Sequence, residues 1–523
     1  MKNRKIEIAV IAIILMLQTA LYIFFGTQKA YLHMDESFSF GLSSYDKTEI
    51  ENNADFFNNW HNSDYYADYL RVDEDEIFDY SPVLENQKND VHPPFYYLLL
   101  RFFMGFFKGK ISFWPGLILN IVISLFTTVF VYLISQKLLN GIKFVKEKSA
   151  FVALITAITL STLSNVLFIR MYCLTSLLVL ITIYLHFYIK DIQRLSPRHL
   201  FPLGVTIFFG ALTHYYYFFF LAPLFLLCAG YFKRSDQYRN MLVYIATFVV
   251  AMWVYIKVFP SVFDHLFSTY RGEQVTSNLL DFSQLQNRIF DFMSLLNKYG
   301  FNMLFFLVLG IIIYFQLRKK ELSVSETQQT KNGFLFVCLP AVIYFVIASV
   351  CSPFTEFRYI YPVMALLFIS ALCYLIRLLS DVAGEKTCNI ISLVLGILMC
   401  VFPFLTEVTP EFLYKERVET VDFIKEKSNV PALYAFNGDN FWFIDDVYLF
   451  SQTDESYITK DIEINEENIT KIFENKITSH GLIIYISDGL HNENILNTLS
   501  SAFEYKSIQH ISRLNSCDVY YLY

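Results

Sequence analysis

A polytopic bundle of membrane helices carrying a small C-terminal α/β domain is the fold this sequence predicts, and three observations lead to it. The 523-residue chain combines a positive mean hydropathy with 18% aromatic and only 17% charged residues. That is more apolar surface than a soluble fold buries. As far as Leu405 the chain is dominated by apolar runs, most of them close to the ~20 residues that carry a helix across about 30 Å of hydrocarbon. Beyond Leu405 the long runs stop, and short amphipathic and strand-like stretches alternate.

The first run, Ile6 to Phe25, has an apolar core too long for a signal peptide and no small-residue cleavage site after it, so it reads as a retained helix. A large loop, Gly26 to Pro94, follows, with fifteen Asp or Glu against four Lys or Arg. Trp60, Tyr65, Tyr66 and Tyr69 among those acids suggest short amphipathic helices resting on a membrane surface. The run Asp73-Glu74-Asp75-Glu76 reads as a solvated surface, with a divalent-cation site as the alternative, since carboxylates suit hard cations, although EF-hand spacing is lacking. Phe95 to Phe107 is short, follows Pro93-Pro94 and holds Arg101, which suits an interfacial helix better than a span.

Ten more runs follow: Trp114 to Leu138, Ala150 to Ile169, Cys173 to Ile189, Leu200 to Thr213, Tyr217 to Tyr231, Met241 to Phe259, Phe301 to Leu317, Gly333 to Val350, Tyr361 to Leu379 and Ile390 to Leu405. With Phe95 to Phe107 interfacial, the lysine and arginine clusters at Lys2 to Lys5, Lys143 to Lys148, Lys190 to Arg198, Lys233 to Arg239 and Arg318 to Lys320 all fall on one side. By the positive-inside tendency that side is the cytoplasm. The expectation is a multi-pass cell-membrane protein of about eleven spans, its N-terminus cytoplasmic and its C-terminal domain outside. Two domains follow, 1–405 and 406–523, the first including the loop 26–94.

In the C-terminal part, helical patterns (Glu411 to Glu426, Glu466 to Lys476, Glu493 to Phe503) alternate with strand-like ones (Ala432 to Phe436, Val447 to Phe450, Leu482 to Ile486, Val519 to Tyr523). Neither a dinucleotide fingerprint nor a P-loop is present. Seven of the eight cysteines lie in or beside apolar segments, and no disulfide framework or zinc spacing can be assembled. A net charge of -7 argues against nucleic acid as a partner.

The unusual polar residues gather on the outer side of this topology. Asp35 and Glu36 sit about ten residues past the first helix, and a carboxylate pair at a membrane boundary is costly enough to imply function. His92, Arg170, Tyr172, His214, Arg358 and Tyr359 fall at helix ends on the same side. Each has a plainer alternative: arginines that snorkel to headgroups, aromatics of the interfacial belt, a histidine starting a helix.

In their order along the chain these residues resemble a known family. The Asp35-Glu36 pair, a large first loop closing on His-Pro-Pro-Phe-Tyr-Tyr-Leu-Leu-Leu (His92 to Leu100), Arg170 with Tyr172, His214 with Tyr215, and Arg358-Tyr359 before Pro362 look like the GT-C fold glycosyltransferases that use polyprenyl-phosphate sugars. Within them the protein O-mannosyltransferase and lipid A aminoarabinose transferase branch is most similar, over roughly residues 1 to 380. The resemblance implies transfer of a sugar from a polyprenyl-phosphate donor to a protein, lipid or cell-wall polymer on the extracytoplasmic face, with inversion at the anomeric carbon. Asp35 would accept the acceptor's proton. Glu36 joins it in the catalytic pair in a supporting role, since on a helix neighbours diverge by about 100°. Arg170 and Arg358 would hold the phosphate, with His92, Tyr172, His214 and Tyr359 as further substrate contacts. No cofactor is implied beyond a possible divalent metal at Asp35 and Glu36. A lipid-linked saccharide flippase or exporter is the rival reading, and a non-catalytic membrane scaffold the third. The first rival expects charged or broken helices at mid-membrane; the second explains neither the acids nor the arginines.

Overall fold

The computed structural model describes residues 2–45, 56–267, 277–278, 283–322, 328–437, 442–460, 464–474, 476, 478 and 480–523. The chain forms two compact units, each assembled from several segments.

The first unit comprises Met1–Thr27, Asp90–Tyr96 and Leu117–Glu411. Among the described residues, eight helices are long and apolar enough to cross a bilayer: Arg4–Gly26, Trp114–Leu138, Tyr172–Lys190, Tyr217–Arg234, Tyr238–Val258, Gly333–Cys351, Phe357–Val382 and Glu385–Leu405. In hydrocarbon a helix is the one open-chain form that satisfies its own backbone, so such runs of Leu, Ile, Val and Phe have little alternative. Two bent pairs, Val145–Ala157 with Leu160–Leu167 at 53° and Leu285–Gly300 with Phe305–Glu321 at 94°, raise the number to ten if each counts as one span. The remaining expected span, Leu200 to Thr213, is a helix at Pro197–Ala211 of only 15 residues with Pro202 inside it.

Both bends have local causes. Thr159 caps the second half of the first pair, its Oγ1 accepting from the Thr162 amide at 3.3 Å. In the second pair Asn302 and Met303 adopt left-handed backbone, φ 50° and 68°. Asn302 then joins the two breaks, its Oδ1 accepting from the Leu160 amide at 3.0 Å while its Nδ2 donates to the Met399 carbonyl at 2.7 Å. Backbone groups freed by a break inside apolar surroundings need such partners.

The second unit comprises Gln28–Asn89, Tyr97–Gly116 and Phe412–Tyr523. Its centre is a six-stranded sheet in the order β1-β3-β2-β4-β6-β5, with β1 Trp60–Asn62, β2 Ala432–Phe436, β3 Glu455–Lys460, β4 Leu482–Ser487, β5 Ile508–Arg513 and β6 Cys517–Leu522. β2 runs parallel to both β3 and β4, and the outer pairings are antiparallel. β2 and β4 are buried along their length, which explains their unbroken apolar runs. Leu433, Ile484, Ile486, Ile469, Leu496 and Leu499 form the core between the sheet and the helices Glu466–Ile472 and Asn492–Phe503.

Two expectations need correction. Val447–Phe450 is a helical turn that continues the 3-10 turn Trp442–Asp446, not a strand; Val447, Leu449 and Phe450 are buried, and burial rather than alternation accounts for their apolar character. Of the aromatics of the first loop, Trp60 lies on a strand rather than an amphipathic helix, and Tyr66 and Tyr69 are buried inside the second unit. Trp60 pairs with Tyr457 across β1 and β3 and packs on Phe473, and the Tyr66 hydroxyl accepts from Ser456 Oγ at 2.7 Å. Arg101, on the short helix Phe95–Met104, is fully buried and donates to the carbonyls of Ser43, Ser44 and Glu76 at 3.1, 2.8 and 2.8 Å, so it fastens the loop.

Candidate active site

Six of the expected substrate contacts lie in the first unit, and its breaks place them. The helix Leu160–Leu167 ends at Phe168, where the Asn120 amide donates to the carbonyls of Val166 and Phe168 at 3.1 and 2.9 Å. Asn120 in turn accepts from the Tyr96 hydroxyl at 3.1 Å. With those carbonyls satisfied the chain turns through Ile169 and Arg170 before helix Tyr172–Lys190 starts. His214 occupies the turn between Pro197–Ala211 and Tyr217–Arg234, and its Nδ1 accepts from the Tyr216 amide at 3.0 Å as the next helix begins. Arg358 and Tyr359 lie in the 3-10 turn Phe357–Ile360, whose Tyr359 carbonyl accepts from the Tyr344 hydroxyl at 2.9 Å.

These turns bring together a cluster of rings around a buried cation. Tyr172 stacks on Phe168 with centroids 5.9 Å apart, meets His214 at 5.2 Å and Tyr359 at 6.2 Å. His214 lies 6.5 Å from His92 and 4.9 Å from Tyr216. The Arg358 guanidinium stands 5.7 Å from the Phe168 ring and 5.3 Å from that of Tyr359, within cation–π range. Its side chain is only 5% exposed and its Nε is 2.7 Å from Glu356 Oε2. His92 contacts Asp90 Oδ2 through Nδ1 at 2.8 Å. Arg170 is also buried and, with His92, acts on His214. Burial first, and these two neighbours second, hold the His214 imidazole well below its usual range, so it is neutral at physiological pH. A neutral imidazole and a buried guanidinium thus lie among aromatic faces at the ends of these helices. The same unit holds an apolar cavity of about 560 Å³ between its later helices, lined by Leu296, Phe301, Phe305, Phe334, Phe345 and Tyr374 among others.

Asp35 and Glu36 belong to the second unit, at the start of helix Met34–Ser44. His33 is the N-cap. Its Nδ1 accepts from the Asp35 amide at 3.0 Å, and Glu36 Oε2 accepts from the His33 amide at 2.7 Å, closing a capping box. Glu36 also accepts from Lys29 Nζ at 2.9 Å, both side chains being fully buried, and Lys29 donates as well to the Phe412 carbonyl at 2.7 Å. Glu36 thus holds a basic residue, while Asp35, one position earlier, is 21% exposed with His33 Nδ1 3.9 Å from its Oδ2. Glu36 Oε2 is thus engaged by both the Lys29 ammonium and a backbone amide. Among the described residues no three His, Cys, Asp or Glu side chains group as a metal site.

Sequence reasoning missed two acids in the same unit. Asp446 Oδ1 accepts from the Tyr31 hydroxyl at 3.0 Å and its Oδ2 from Cys517 Sγ at 3.2 Å. Asp445, 2% exposed, has an Oδ1 with no hydrogen-bond partner among the described residues. Both carboxyls are pushed above the usual range, by burial foremost, with Asp446 and Asp35 adding to the rise at Asp445. Arg417, 5.3 Å from the Tyr31 ring and bonded to Asn515 Oδ1 at 2.7 Å, offsets part of it. Phe443 and Ile444 before this acid pair and Val447 after it were the available signal that it is buried.

No family profile matches the chain, and no curated protein matches it by sequence. Solved structures do. ArnT from Cupriavidus metallidurans bound to undecaprenyl phosphate superposes with a TM-score of 0.52 at 10% identity, covering 98% of this chain and 97% of that one. The apo state of the same protein gives 0.50 at 10% identity with the same coverage. The Archaeoglobus fulgidus oligosaccharyltransferase AglB, in complex with an inhibitory peptide and a dolichol-phosphate, gives 0.46 at 12% identity over 93% of this chain and 70% of its own. Over almost its whole length, the chain has the fold of ArnT, the GT-C fold of polytopic membrane proteins.

Proposed function

We propose that the chain is an inverting membrane glycosyltransferase that moves a sugar from a polyprenyl phosphate to an acceptor hydroxyl on the extracytoplasmic face. The observation that carries this reading is Arg358, a buried guanidinium over the rings of Phe168 and Tyr359, both of which also meet Tyr172, the neighbour of a neutral His214. Paired with Glu356 at 2.7 Å, that guanidinium is held in a fixed position from which it can meet a phosphate. Likeness to a structure containing undecaprenyl phosphate supports the choice of anion, and the apolar cavity offers an isoprenoid tail a surface.

In this reaction the acceptor oxygen forms a bond to the anomeric carbon while the bond from that carbon to the phosphate oxygen breaks. The electron pair leaves with the polyprenyl phosphate, whose negative charge Arg358 and Arg170 stabilise, with His92, Tyr172, His214 and Tyr359 contacting the phosphate or the sugar. The acceptor's proton passes to Asp35, a partly exposed carboxylate held in place by the cap of its helix. Glu36 fixes Lys29 and that cap. Asp35→Asn keeps the shape and removes the base, so turnover in purified, lipid-supplied protein falls by about 100-fold or more. Near-normal turnover by a folded Asp35→Asn protein would reject the role.

A further inference from the structure

Glu411 lies just beyond the helix Glu385–Leu405 and takes no part in the reaction as described. It is built into the surroundings of Arg358. Its Oε2 accepts from the Tyr361 hydroxyl at 2.9 Å, and its backbone amide donates to Ser164 Oγ at 3.0 Å. Tyr361 directly follows the turn that carries Arg358 and Tyr359; its ring is 5.4 Å from Phe357 and 6.4 Å from Tyr172, and its carbonyl accepts from Ser176 Oγ at 2.8 Å. Among the described residues, the charged groups that act on Glu411 include Arg358 from this turn, Glu356 just before it, and Lys298, whose Nζ is 4.7 Å from the Tyr299 ring. Tyr299 in turn packs on Phe357 with centroids 5.8 Å apart.

We propose that Glu411 is a positioning acid that sets how much positive charge Arg358 offers a phosphate. Ionised, Glu411 adds a negative charge beside that of Glu356 to the same group of ions and weakens the hold on an anion; uncharged, it adds none. Burial, with Glu356 adding to it and Tyr361, Lys298 and Arg358 opposing it, lifts the Glu411 carboxyl to about 7. The switch from one form to the other therefore falls near neutrality. A raised acid keeps its proton below that value, so phosphate is held more tightly at low pH and less tightly as pH rises through it. The inference rests on the reading of Arg358 as the anion site.

The test is binding of farnesyl phosphate to the full-length protein in nanodiscs, from pH 5.5 to 8.5, for wild type, Glu411→Gln and Arg358→Gln. The ligand's own ionisation is common to all three and cancels in ratios. Glu411→Gln is expected to bind as wild type does at pH 5.5 and about fivefold or more tightly than wild type at pH 8.5. Tyr361→Phe, which removes the hydroxyl that favours the carboxylate, moves the step in the wild-type curve to higher pH. A ratio that stays flat with pH, while Arg358→Gln abolishes binding, overturns the role of Glu411 alone. Binding that survives Arg358→Gln overturns the anion-site reading beneath it.

Discussion

Removing Glu36 tests whether its charge serves the fold or the chemistry. Glu36 and Lys29 are each fully buried and meet at 2.9 Å, and Glu36 also holds the His33 amide at 2.7 Å. In Glu36→Gln the amide oxygen still accepts from the backbone, so the cap survives, but the Lys29 ammonium is left in the interior without its counter-charge. Breaking one side of a buried pair costs about 3–5 kcal/mol, most of it the desolvation of the stranded partner. Burial already holds the Lys29 amine below its usual range even with Glu36 present, so the stranded lysine sheds its proton more readily still. Lys29→Met strands the carboxylate and carries a similar cost. The double variant Lys29→Met with Glu36→Gln removes both charges and keeps the backbone cap, so no stranded charge is left in the interior. The assay is thermal unfolding of the four full-length proteins in one detergent, analysed as a double-mutant cycle. Both singles should melt well below wild type and the double should recover most of the loss. A Glu36→Gln protein as stable as wild type, or a double variant with the summed loss of the singles, would refute this reasoning.

Two further outcomes follow from the second unit. The folded protein holds protons on Asp445 and Asp446 more tightly than an unfolded chain does, so that stability is present below the ordinary carboxylate range and is lost as pH rises towards neutrality. Asp445→Asn should therefore melt higher relative to wild type at pH 7.5 than at pH 4.5, and an equal difference at both would contradict it. Gly41 lies in the Asp35 helix where a Cβ would collide with the Tyr69 ring. Gly41→Ala is thus expected to destabilise by about 1–3 kcal/mol despite the gain in helix propensity, measured by thermal unfolding, with unchanged stability as the contrary result.

The membrane helices were legible because length and hydropathy are local properties, and in hydrocarbon they nearly determine the backbone. The boundary residues stand out in the sequence because an ionisable residue at the end of an apolar run is costly, although snorkelling and the interfacial belt account for many of them. His92, Tyr172, His214, Arg358 and Tyr359 are linked in one cluster, but their contacts depend on bends at Thr159 and Asn302 that no periodicity announces. Pairings across long stretches of chain were beyond reach. β1 is three residues long and gains meaning only beside β3, nearly four hundred residues away. Trp60 and Tyr66 looked like membrane-surface aromatics because an amphipathic pattern shows that a face is covered, not by what. Glu36 carried no hint of Lys29 beyond a seven-residue spacing. Glu411 sits in a polar stretch, where its burial under Tyr361 leaves no trace in composition.

The central claim is that a sugar leaves a lipid phosphate through the charge of Arg358 and the basicity of Asp35. The most direct measurement is a single-turnover chase: full-length protein purified with its native lipid, the lipid-linked sugar identified by mass spectrometry, and its fate followed after acceptor is added. The account predicts that free polyprenyl phosphate appears in step with transferred sugar of inverted configuration, and that Asp35→Asn retains the donor unspent. An intact lipid-linked sugar that crosses the bilayer without cleavage, or equal release of polyprenyl phosphate by Asp35→Asn, would contradict it.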